Sequence, residues 1–461
     1  MKNKLFISIY CGLMILLASC NNYLDVKPKG KIIPETAEDF STIIHYWLDQ
    51  IEKGRDDVII PNPEVMTTLE MFADDLNATL ASNFGYTSIY VGSAINKNQA
   101  TYKTLYSVIK DCNMVIGNMD DTESDLARTL LGTAWSIRSI CYYNLMQRYC
   151  EPYQPETAQE TLGLPLVDDF DMEAKPARAN LKETAEFIEE GFRKALSYNV
   201  SNEDFIFTSS VTKAYFARFF FWTQNWSNAI TYAKEVLEKY PMLEADEYVE
   251  AINQKQAKAR NVIIRSFTMD DDIGTMSYAT AQADIKSRPV DRNLVDLFAA
   301  TDNDVRRKCN YDSKRIVNKI ITTKFRSEEL CLIIAEAHAH LNQETDALGY
   351  LNQLRSKRIT QNYIAYTIDN LPEVFQQNIK TDATGIPLTK LMSAILCERR
   401  KELFVEGDRW FELKRNGRPE FWVAAKGKKF ITEKYLYTFP IPKADIRLFP
   451  DLLIQNPGYI E

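Results

Sequence analysis

Apolar residues recur three or four positions apart along most of this chain, and they do so in paired segments. That period is typical of one buried face of an α-helix. The pattern predicts helix pairs at about 105–149, 211–239, 328–358 and 391–415, with a further helix over 181–196. Long irregular stretches, at 74–104 and 243–324, separate the pairs. The fold class predicted is therefore all-α, with long loops carried by helices.

Two of these pairs fit the tetratricopeptide template, in which small residues at fixed offsets let two helices approach closely. In the second pair, Ala217 and Ala229 take the small positions, and in the third pair Ala335 and Ala347 do so. Because the two units are far apart in sequence, we expect dispersed tetratricopeptide-like pairs within an α/α superhelix. Two ordinary helical hairpins that use alanine would give the same pattern, and the template leaves both interpretations open.

The N-terminus has the order of a secretory signal. A cationic start and an apolar run up to Ala18 precede Ser19 and Cys20. The run is too short to cross a bilayer, which takes roughly 20 apolar residues. A cysteine at this boundary predicts a lipoprotein signal peptide over residues 1–19, with Cys20 as the lipidated first residue of the mature protein. The alternative is a plain signal cleaved nearby, and in either case residues 20–34 are predicted to form a tether.

Charge and composition exclude some classes of function. The formal net charge is −8, and removing the two lysines of the signal leaves −8 − 2 = −10. An acidic protein is unsuited to nucleic acid, and it is unsuited to holding anionic lipid through a basic face. With 45% hydrophobic residues the chain can bury a large core. The cysteines form no CxxC pair, so buried thiols are favoured over disulfides, and the histidines predict no metal site or other cofactor.

The densest motif lies at 398–415, and a family resemblance appears there. It closely resembles the signature of the SusD/RagB family of outer-membrane nutrient-binding lipoproteins. The matching residues are Glu398, Arg399, Glu402, Leu403, Glu406, Gly407, Arg409, Leu413 and Arg415, with Glu412 in place of the usual aspartate. Similar blocks recur at the lipoprotein boundary, around Arg138 and Tyr142, and at 439–443 and 455–459. The resemblance therefore covers nearly the whole chain, with 35–461 as the SusD-like domain.

The resemblance implies binding and delivery without chemistry. Members of the family sit on the cell surface as a hinged lid over a SusC-type TonB-dependent outer-membrane transporter. They capture an oligosaccharide or polysaccharide, or in some branches a peptide or glycopeptide, and close to pass it on. We therefore expect a lipid-anchored, surface-exposed protein of the outer membrane that is not an enzyme and does not bind nucleic acid. A surface glycoside hydrolase and a purely structural repeat scaffold remain alternatives.

Three glutamates spaced four apart, Glu398, Glu402 and Glu406, could be mistaken for catalytic carboxylates. Basic residues surround them, and such neighbours lower a carboxyl pKa, whereas a general acid needs a raised one. A glycosidase also places its two carboxylates on opposite sides of the scissile bond. We interpret the three as an ion-paired helix face, with Trp410 and Phe411 packed at its end.

Ligand-contacting residues are sought in the variable loops, because the family builds its ligand face there. The hypothesis is that aromatic rings stack on the ligand while polar side chains read it. The candidate aromatic residues are Phe84, Tyr86, Tyr90 and Tyr278, and the candidate polar partners are Asn83, Asp74 and Asp75. The alternative is that these tyrosines only pack the loops. The run 270–272 is interpreted as a solvated acidic turn rather than a calcium site.

The tryptophans are predicted to pack helices rather than to bind ligand. Core-like spacing places Trp135, Trp222, Trp226, Trp410 and Trp422 on or beside predicted helices, with Trp47 in an N-terminal helix. This departs from glycan-binding relatives that display a loop tryptophan to the sugar. It leaves room for a more polar glycan or for a peptide.

Overall fold

The fold is known from a computed structural model, and nearly all of its regular structure is helical. The structure describes residues 34–52, 59–82, 100–171, 175–254, 259–266, 272–299, 303–321, 324–425 and 428–459. The helices are α1 Ala37–Glu52, α2 Pro63–Phe72, α3 Ala100–Asn118, α4 Asp125–Tyr149, α5 Leu181–Ser197, α6 Ser209–Trp222, α7 Trp226–Lys239, α8 Ala245–Ile252, α9 Asp272–Lys286, α10 Arg292–Asp296, α11 Val305–Asn310, α12 Ser327–His340, α13 Glu344–Ser356, α14 Lys390–Glu402, α15 Asp408–Arg415 and α16 Lys443–Leu448. Short 3₁₀ turns occur between them, one of them at Ala78–Leu80.

Strands occur as three small antiparallel pairs. They are β1 Leu162–Pro165 with β2 Arg178–Asn180, β3 Val262–Arg265 with β4 Lys324–Arg326, and β5 Phe421–Ala425 with β6 Lys428–Thr432. These pairs connect helices and form no larger sheet, so the predicted all-α class is confirmed. Across the described ranges, no helix is both long and apolar enough to cross a membrane.

The helices form one continuous superhelix. From α3 to α7 each helix packs on the next, and α7 then packs directly on α12, which also contacts α13 and α14. The two units that resemble tetratricopeptide pairs are thus distant in sequence but adjacent in space. Ala217, Ala229, Ala335 and Ala347 are all fully buried, as close helix approach requires.

Close packing of this kind is visible between α4 and α5. Helix α5 begins with a capping box, in which Asn180 accepts from the backbone N–H of Glu183 and the Glu183 carboxylate accepts from the backbone of Asn180. Further along, a Cβ on Gly191 would lie 2.3 Å from Ser139 Oγ on α4. Only glycine lets the two helices approach this closely.

A tight turn divides the last helical segment. The sequence predicts a helix pair over 391–415, in which α14 ends at Glu402 and α15 begins at Asp408. Between them, Val405 and Gly407 have φ of 58° and 76°, in the left-handed region. A Cβ at Gly407 would lie 2.6 Å from the sulfur of Met66, so the turn also needs glycine for space. A left-handed cap follows α15 at Gly417, where φ is 86°.

The signature glutamates form a buried cluster of ion pairs, which we call the ionic hub: Glu398, Glu402 and Glu406 with the basic residues that bind them. Glu402 is fully buried and accepts hydrogen bonds from Arg358 Nε at 3.0 Å, Arg326 Nη1 at 2.9 Å and Arg306 Nη1 at 3.4 Å.

The other two carboxylates of the hub have their own partners. Glu398 accepts from Arg306 Nη2 and Lys401 Nζ, both at 2.6 Å. Glu406 binds Arg326 at 2.9 Å and Lys319 at 2.7 Å. The interpretation as ion pairs is therefore confirmed, although the cluster is buried between elements rather than lying on a solvated helix face.

The pKa values of these carboxyls follow from that geometry. Burial by itself would raise them, but the surrounding cations outweigh burial and lower the pKa of Glu398 to about 2. The same balance, with Arg358, Arg326 and Arg306, holds the pKa of Glu402 well below its usual range, and the pKa of Glu406 is lowered too. The three groups stay ionised near neutral pH, which does not suit a general acid.

Side chains that the sequence assigns to packing mostly do pack. Cys112, Cys141, Cys150, Cys309 and Cys331 are buried free thiols, and Cys397 is largely covered. Trp222 and Trp410 are 3% and 1% exposed. The exception is Trp422, for which the prediction of helix packing is wrong: it lies on β5 and is 59% exposed.

Candidate functional site

An open cleft of about 400 Å³ lies where four distant stretches of the chain meet, three of which form its walls while the fourth contributes Asn378. One wall is the segment after α2, a second is the start of α10, and the third is the β5–β6 hairpin. The side chains that give the cleft its chemistry are Asp74, Asn77, Asp291, Asn293, Asn378, Glu420, Phe421 and Trp422. Tyr278 is not among the residues that line it.

Asp74 forms the floor of the cleft, and the scaffold fixes it. Its carboxylate accepts from Arg409 Nε at 2.7 Å and Nη2 at 3.0 Å, and from Asn378 Nδ2 at 2.8 Å. Burial would raise its pKa, but the guanidiniums of Arg409 and Arg400 outweigh burial and hold the pKa well below the usual range. The Asp74 carboxylate therefore stays ionised, and the two arginines offset its charge.

The second wall is joined to the first by backbone and side-chain hydrogen bonds. The N–H of Asn77 donates to Pro289 O, and the N–H of Asp291 donates to Asp75 O, each at 2.8 Å. Across the same contact, Asn77 Nδ2 donates to Asp291 Oδ2 at 3.1 Å. Asp291 also caps α10 by accepting from the N–H of Asn293 at 3.0 Å. The amides and carboxylates on these two walls are therefore held at fixed positions.

The hairpin presents the aromatic group of the site. Trp422 pairs with Ile431 across the two strands, and both side chains are largely exposed. Lys429 Nζ lies 5.1 Å from the centroid of the Trp422 ring, a cation–π distance. The N–H of Ala424 donates to Thr79 Oγ1 at 3.3 Å, which attaches the hairpin to the first wall. An exposed, braced tryptophan beside a polar cleft is an unusual feature of a surface, since large aromatics are normally covered.

The charges and shape of the cleft define what it can hold. Three carboxylates line it, on Asp74, Asp291 and Glu420, and no basic residue is among the described residues of its lining. The amides of Asn77, Asn293 and Asn378 supply both hydrogen-bond donors and acceptors. A flat ring at the rim, with amides and carboxylates below it, suits a polyhydroxylated ligand without negative charge.

The candidate residues taken from the sequence are placed as follows. Asp74 lines the cleft, but its side chain is only 6% exposed and is bound by arginine. Asp75 is fully buried behind it, with Oδ1 2.6 Å from Arg400 Nε, so it positions Arg400 rather than facing solvent.

Tyr278 lies on α9 and is 8% exposed, and its hydroxyl donates to Gln282 Oε1 at 3.0 Å. Burial raises its pKa to about 12. This placement matches the alternative in which the tyrosine packs its own segment. Four further candidates, Asn83, Phe84, Tyr86 and Tyr90, lie outside the described residues, as does Cys20. Ligand contact by these residues stays a prediction.

Sequence reasoning missed the residues that build most of the cleft. Asp291, Asn378 and Trp422 are far from Asp74 in the chain, and no local pattern links them. For Trp422 a signal existed, because Lys426 and Gly427 separate two apolar stretches, as in a two-residue hairpin loop. That signal predicts strands rather than a helix.

Together these features define the class: an α/α superhelical repeat protein whose long connections build an open acidic cleft with an aromatic rim. Two family models match it, one described as "SusD family" over residues 305–459 and one as "Starch-binding associating with outer membrane" over residues 22–221. The chain belongs to the SusD/RagB family. No curated protein sequence matches it.

Solved structures share the fold at low sequence identity. A SusD superfamily protein from Bacteroides vulgatus ATCC 8482 is 18% identical, with a TM-score of 0.71 over 93% of this chain and 100% of that one. Another from Bacteroides thetaiotaomicron VPI-5482 is 17% identical, with a TM-score of 0.69 over 92% and 100%. A laminarin-binding SusD-like protein is 16% identical, with a TM-score of 0.60 over 92% and 99%.

Proposed function

We propose that this protein is a lipid-anchored protein of the outer-membrane surface that binds an oligosaccharide or polysaccharide and delivers it to a SusC-type TonB-dependent transporter. Family membership supports the proposal, as does the laminarin-binding relative with the same fold. The observation that carries it is the exposed ring of Trp422 above a cleft lined by amides and carboxylates.

The cleft has the two kinds of group that sugar recognition uses. The C–H face of a sugar ring is apolar and stacks on an aromatic ring, while its hydroxyls need paired donors and acceptors. Trp422 offers the first, and Asn77, Asn378 and Asp291 offer the second. The cleft is open to solvent, so part of the recognition is expected to pass through ordered water.

The charge of the cleft narrows the glycan class. A uronic acid or a sulfated sugar would bring its anion against Asp291 and Glu420, and no basic residue is among the described residues of the lining, although Lys429 lies beside Trp422 at the rim. Repulsion between like charges weakens the binding of an acidic glycan and thereby favours a neutral one. We therefore expect a neutral glycan, or one with free amino groups, to bind and its acidic counterpart to bind weakly.

The test is a glycan-array and calorimetric screen of residues 21–461, with peptides in parallel. Trp422→Ala should lower the affinity for the identified glycan about thirtyfold, because a hot-spot aromatic contributes roughly 2 kcal/mol or more. Tyr46→Ala is the matched control, since Tyr46 is 56% exposed but lies on α1 and does not line the cleft. Equal loss in both variants, or peptide binding alone, would contradict the proposal.

Anchoring and delivery need separate tests. Cys20→Ala should move the protein out of the outer-membrane fraction, and retention there would count against a lipid anchor. For delivery, the protein should co-purify with a TonB-dependent transporter, and deleting that transporter should abolish uptake of the identified glycan while surface binding persists. Uptake that continues without the transporter would contradict the delivery step.

A further inference from the structure

A second recess, of about 110 Å³, lies against the signature segment, residues 398–415. It is bounded by α2, α4, α6, α12, α14 and α15, so the scaffold rather than the variable connections builds it. Five basic residues line it, namely Arg148, Arg218, Lys324, Arg399 and Arg415, against four acidic ones, Glu329, Glu406, Asp408 and Glu412. Unlike the cleft, its lining is rich in guanidinium groups.

Most of the acidic groups are already bound by partners. Arg218 binds Glu329 through Nε at 2.7 Å and Nη2 at 2.5 Å. Arg399 binds Asp408 through Nε at 2.8 Å and also through Nη2. Glu406 belongs to the ionic hub. These ion pairs neutralise the acidic groups they contain, but they leave some N–H donors of the recess unbound.

Three buried side chains keep N–H groups without a hydrogen-bond partner. They are Arg399 through Nη1, Arg415 through Nη2, and Trp222 through Nε1. Arg415 Nη1 is not counted among them, because it pairs with Glu336 Oε1 at 2.6 Å. All three residues line the recess and are at least nine-tenths buried, at 4%, 6% and 3% exposure. Buried donors without partners are costly, so their clustering at one recess calls for an acceptor there.

The geometry also holds the donors in place before any ligand arrives. The ring of Phe221 lies between the two guanidiniums, with its centroid 4.1 Å from Arg415 Cζ and 5.4 Å from Arg399 Cζ. Stacking on an aromatic face fixes a guanidinium plane and leaves its edge free to donate. Donors positioned in this way bind with little further loss of entropy.

One acceptor is also present, and it has to be accounted for. Glu412 Oε1 lines the recess without a hydrogen-bond partner, while Oε2 accepts from Arg409 Nη1 at 2.7 Å. Burial, against the opposing effect of Arg409, raises the pKa of Glu412 to about 7. Near neutral pH the carboxyl is therefore protonated for much of the time, and it then donates rather than repels.

We propose that this recess binds a small oxyanion, of the size of phosphate or a short carboxylate, through Arg399, Arg415 and Trp222. Guanidinium groups match the oxygens of such anions in pairs, and the indole N–H adds a donor from a third residue. The site is separate from the glycan cleft, since none of its three donors lines that cleft.

Calorimetry on the purified protein tests the proposal, with inorganic phosphate and acetate titrated separately near neutral pH and at constant ionic strength. At least one of the two should bind saturably with one site per chain. Phosphate binding without acetate binding would assign the site to tetrahedral anions, and the reverse would assign it to carboxylates. Absence of binding of both anions up to about 10 mM would overturn the proposal, because water would then satisfy the donors.

Two indole variants separate the recess from general effects. Trp222→Phe removes one donor while keeping an aromatic ring, and it should lower the affinity for the anion about tenfold or more. Trp410→Phe is the matched control, because the Trp410 Nε1 is also buried without a partner but does not line the recess. Equal affinity in Trp222→Phe and the wild type would overturn the proposal, and folding of each variant is checked by its unfolding midpoint.

Discussion

The ionic hub and the β5–β6 hairpin lie close together in the chain, yet the first buries its characteristic side chains and the second exposes its own. The hub buries charges: Glu402 is fully buried among three arginines. The hairpin exposes an aromatic ring: Trp422 is 59% accessible. Burying charge is tolerated only with partners in place, and exposing a large ring is unusual without a ligand. The difference separates scaffold from binding surface.

This comparison also explains why the strongest motif is not the site. The signature glutamates bind arginines from other elements: Arg306 of α11, Arg326 at the start of α12 and Arg358 just after α13. They therefore set how these helices meet α14. The ligand-facing residues are carried by the hairpin and by the two walls of the cleft. A residue pattern that identifies the family therefore gives little information about what a member binds.

The largest effect is expected from breaking the hub. Glu402→Gln keeps the volume but removes the charge that three arginines share, which should lower the free energy of unfolding by about 3–5 kcal/mol. Urea denaturation measures it. Glu235→Gln is the control, because Glu235 pairs with Lys213 at 2.7 Å on the surface and should change stability by less than about 0.5 kcal/mol. Similar losses in both variants would show that the hub does not hold the scaffold together.

Two tryptophans give the next test. Trp410 is 1% exposed and stacks on Tyr437 with ring centroids 4.5 Å apart, so Trp410→Ala should cost about 3–5 kcal/mol. Trp422→Ala should leave stability within about 0.5 kcal/mol of the wild type while it weakens glycan binding. Unfolding curves of the two variants are compared directly. A large stability loss in Trp422→Ala would make the ring a packing residue, as the sequence first suggested.

Acid should weaken the hub, because protonation removes the charges that its basic residues bind. The folded pKa of Glu398 is about 2, below its usual value of 4.5, so its contribution to stability is fully present above about 4.5. As the pH falls from 4.5 towards 2, the unfolded chain takes up protons first, and stability should drop by a few kcal/mol. Urea midpoints across this window measure the drop. In Glu402→Gln the decline should be shallower, and an unchanged slope would contradict the assignment.

The smallest effect on stability is expected from substituting Glu70, a buried carboxyl to which no arginine binds in the described part of the chain. Glu70 is 1% exposed and accepts from the N–H of Gly407 at 2.7 Å. Burial, together with the nearby Asp75, raises its pKa to about 8, so it is mostly protonated at neutral pH. Glu70→Gln should then cost less than about 1 kcal/mol in urea denaturation, because the amide oxygen can accept the same hydrogen bond. A loss as large as that of Glu402→Gln would mean that Glu70 is charged.

Helix pairing and the ion-paired interpretation could be predicted because both depend on local spacing. Apolar residues at helical period mark the buried face of each helix, and glutamates among arginines imply lowered pKa values. The Asn416–Gly417 pair likewise indicates where α15 ends. The position of the turn within 391–415 is harder to predict, because the four-residue spacing of the glutamates continues to Glu406 and only Gly407 marks the break.

The cleft could not be predicted in the same way, because its walls meet only through tertiary contacts. Asn77 and Asp291 are joined by a hydrogen bond across 214 positions, and Asn378 reaches Asp74 across 304. Neither contact leaves a periodic signal in the sequence. Its position beside a variable loop suggests Asp74 as a ligand partner. The arginines that bind Asp74 come from the distant signature segment, and the sequence gives no sign of this contact.

The β3–β4 pair has a consequence for how this molecule can diversify. Strand β3 ends at Arg265 and β4 begins at Lys324, so a long excursion that carries Asp291 leaves and returns through one two-stranded neck. Because α7 packs directly on α12, the superhelix closes without help from that excursion. The same excursion supplies Arg306 and Lys319 to the ionic hub, and these two residues must be kept. Insertions, deletions and substitutions around Asp291 can accumulate over evolutionary time while the scaffold is inherited unchanged, so that new ligand preferences arise without a new fold.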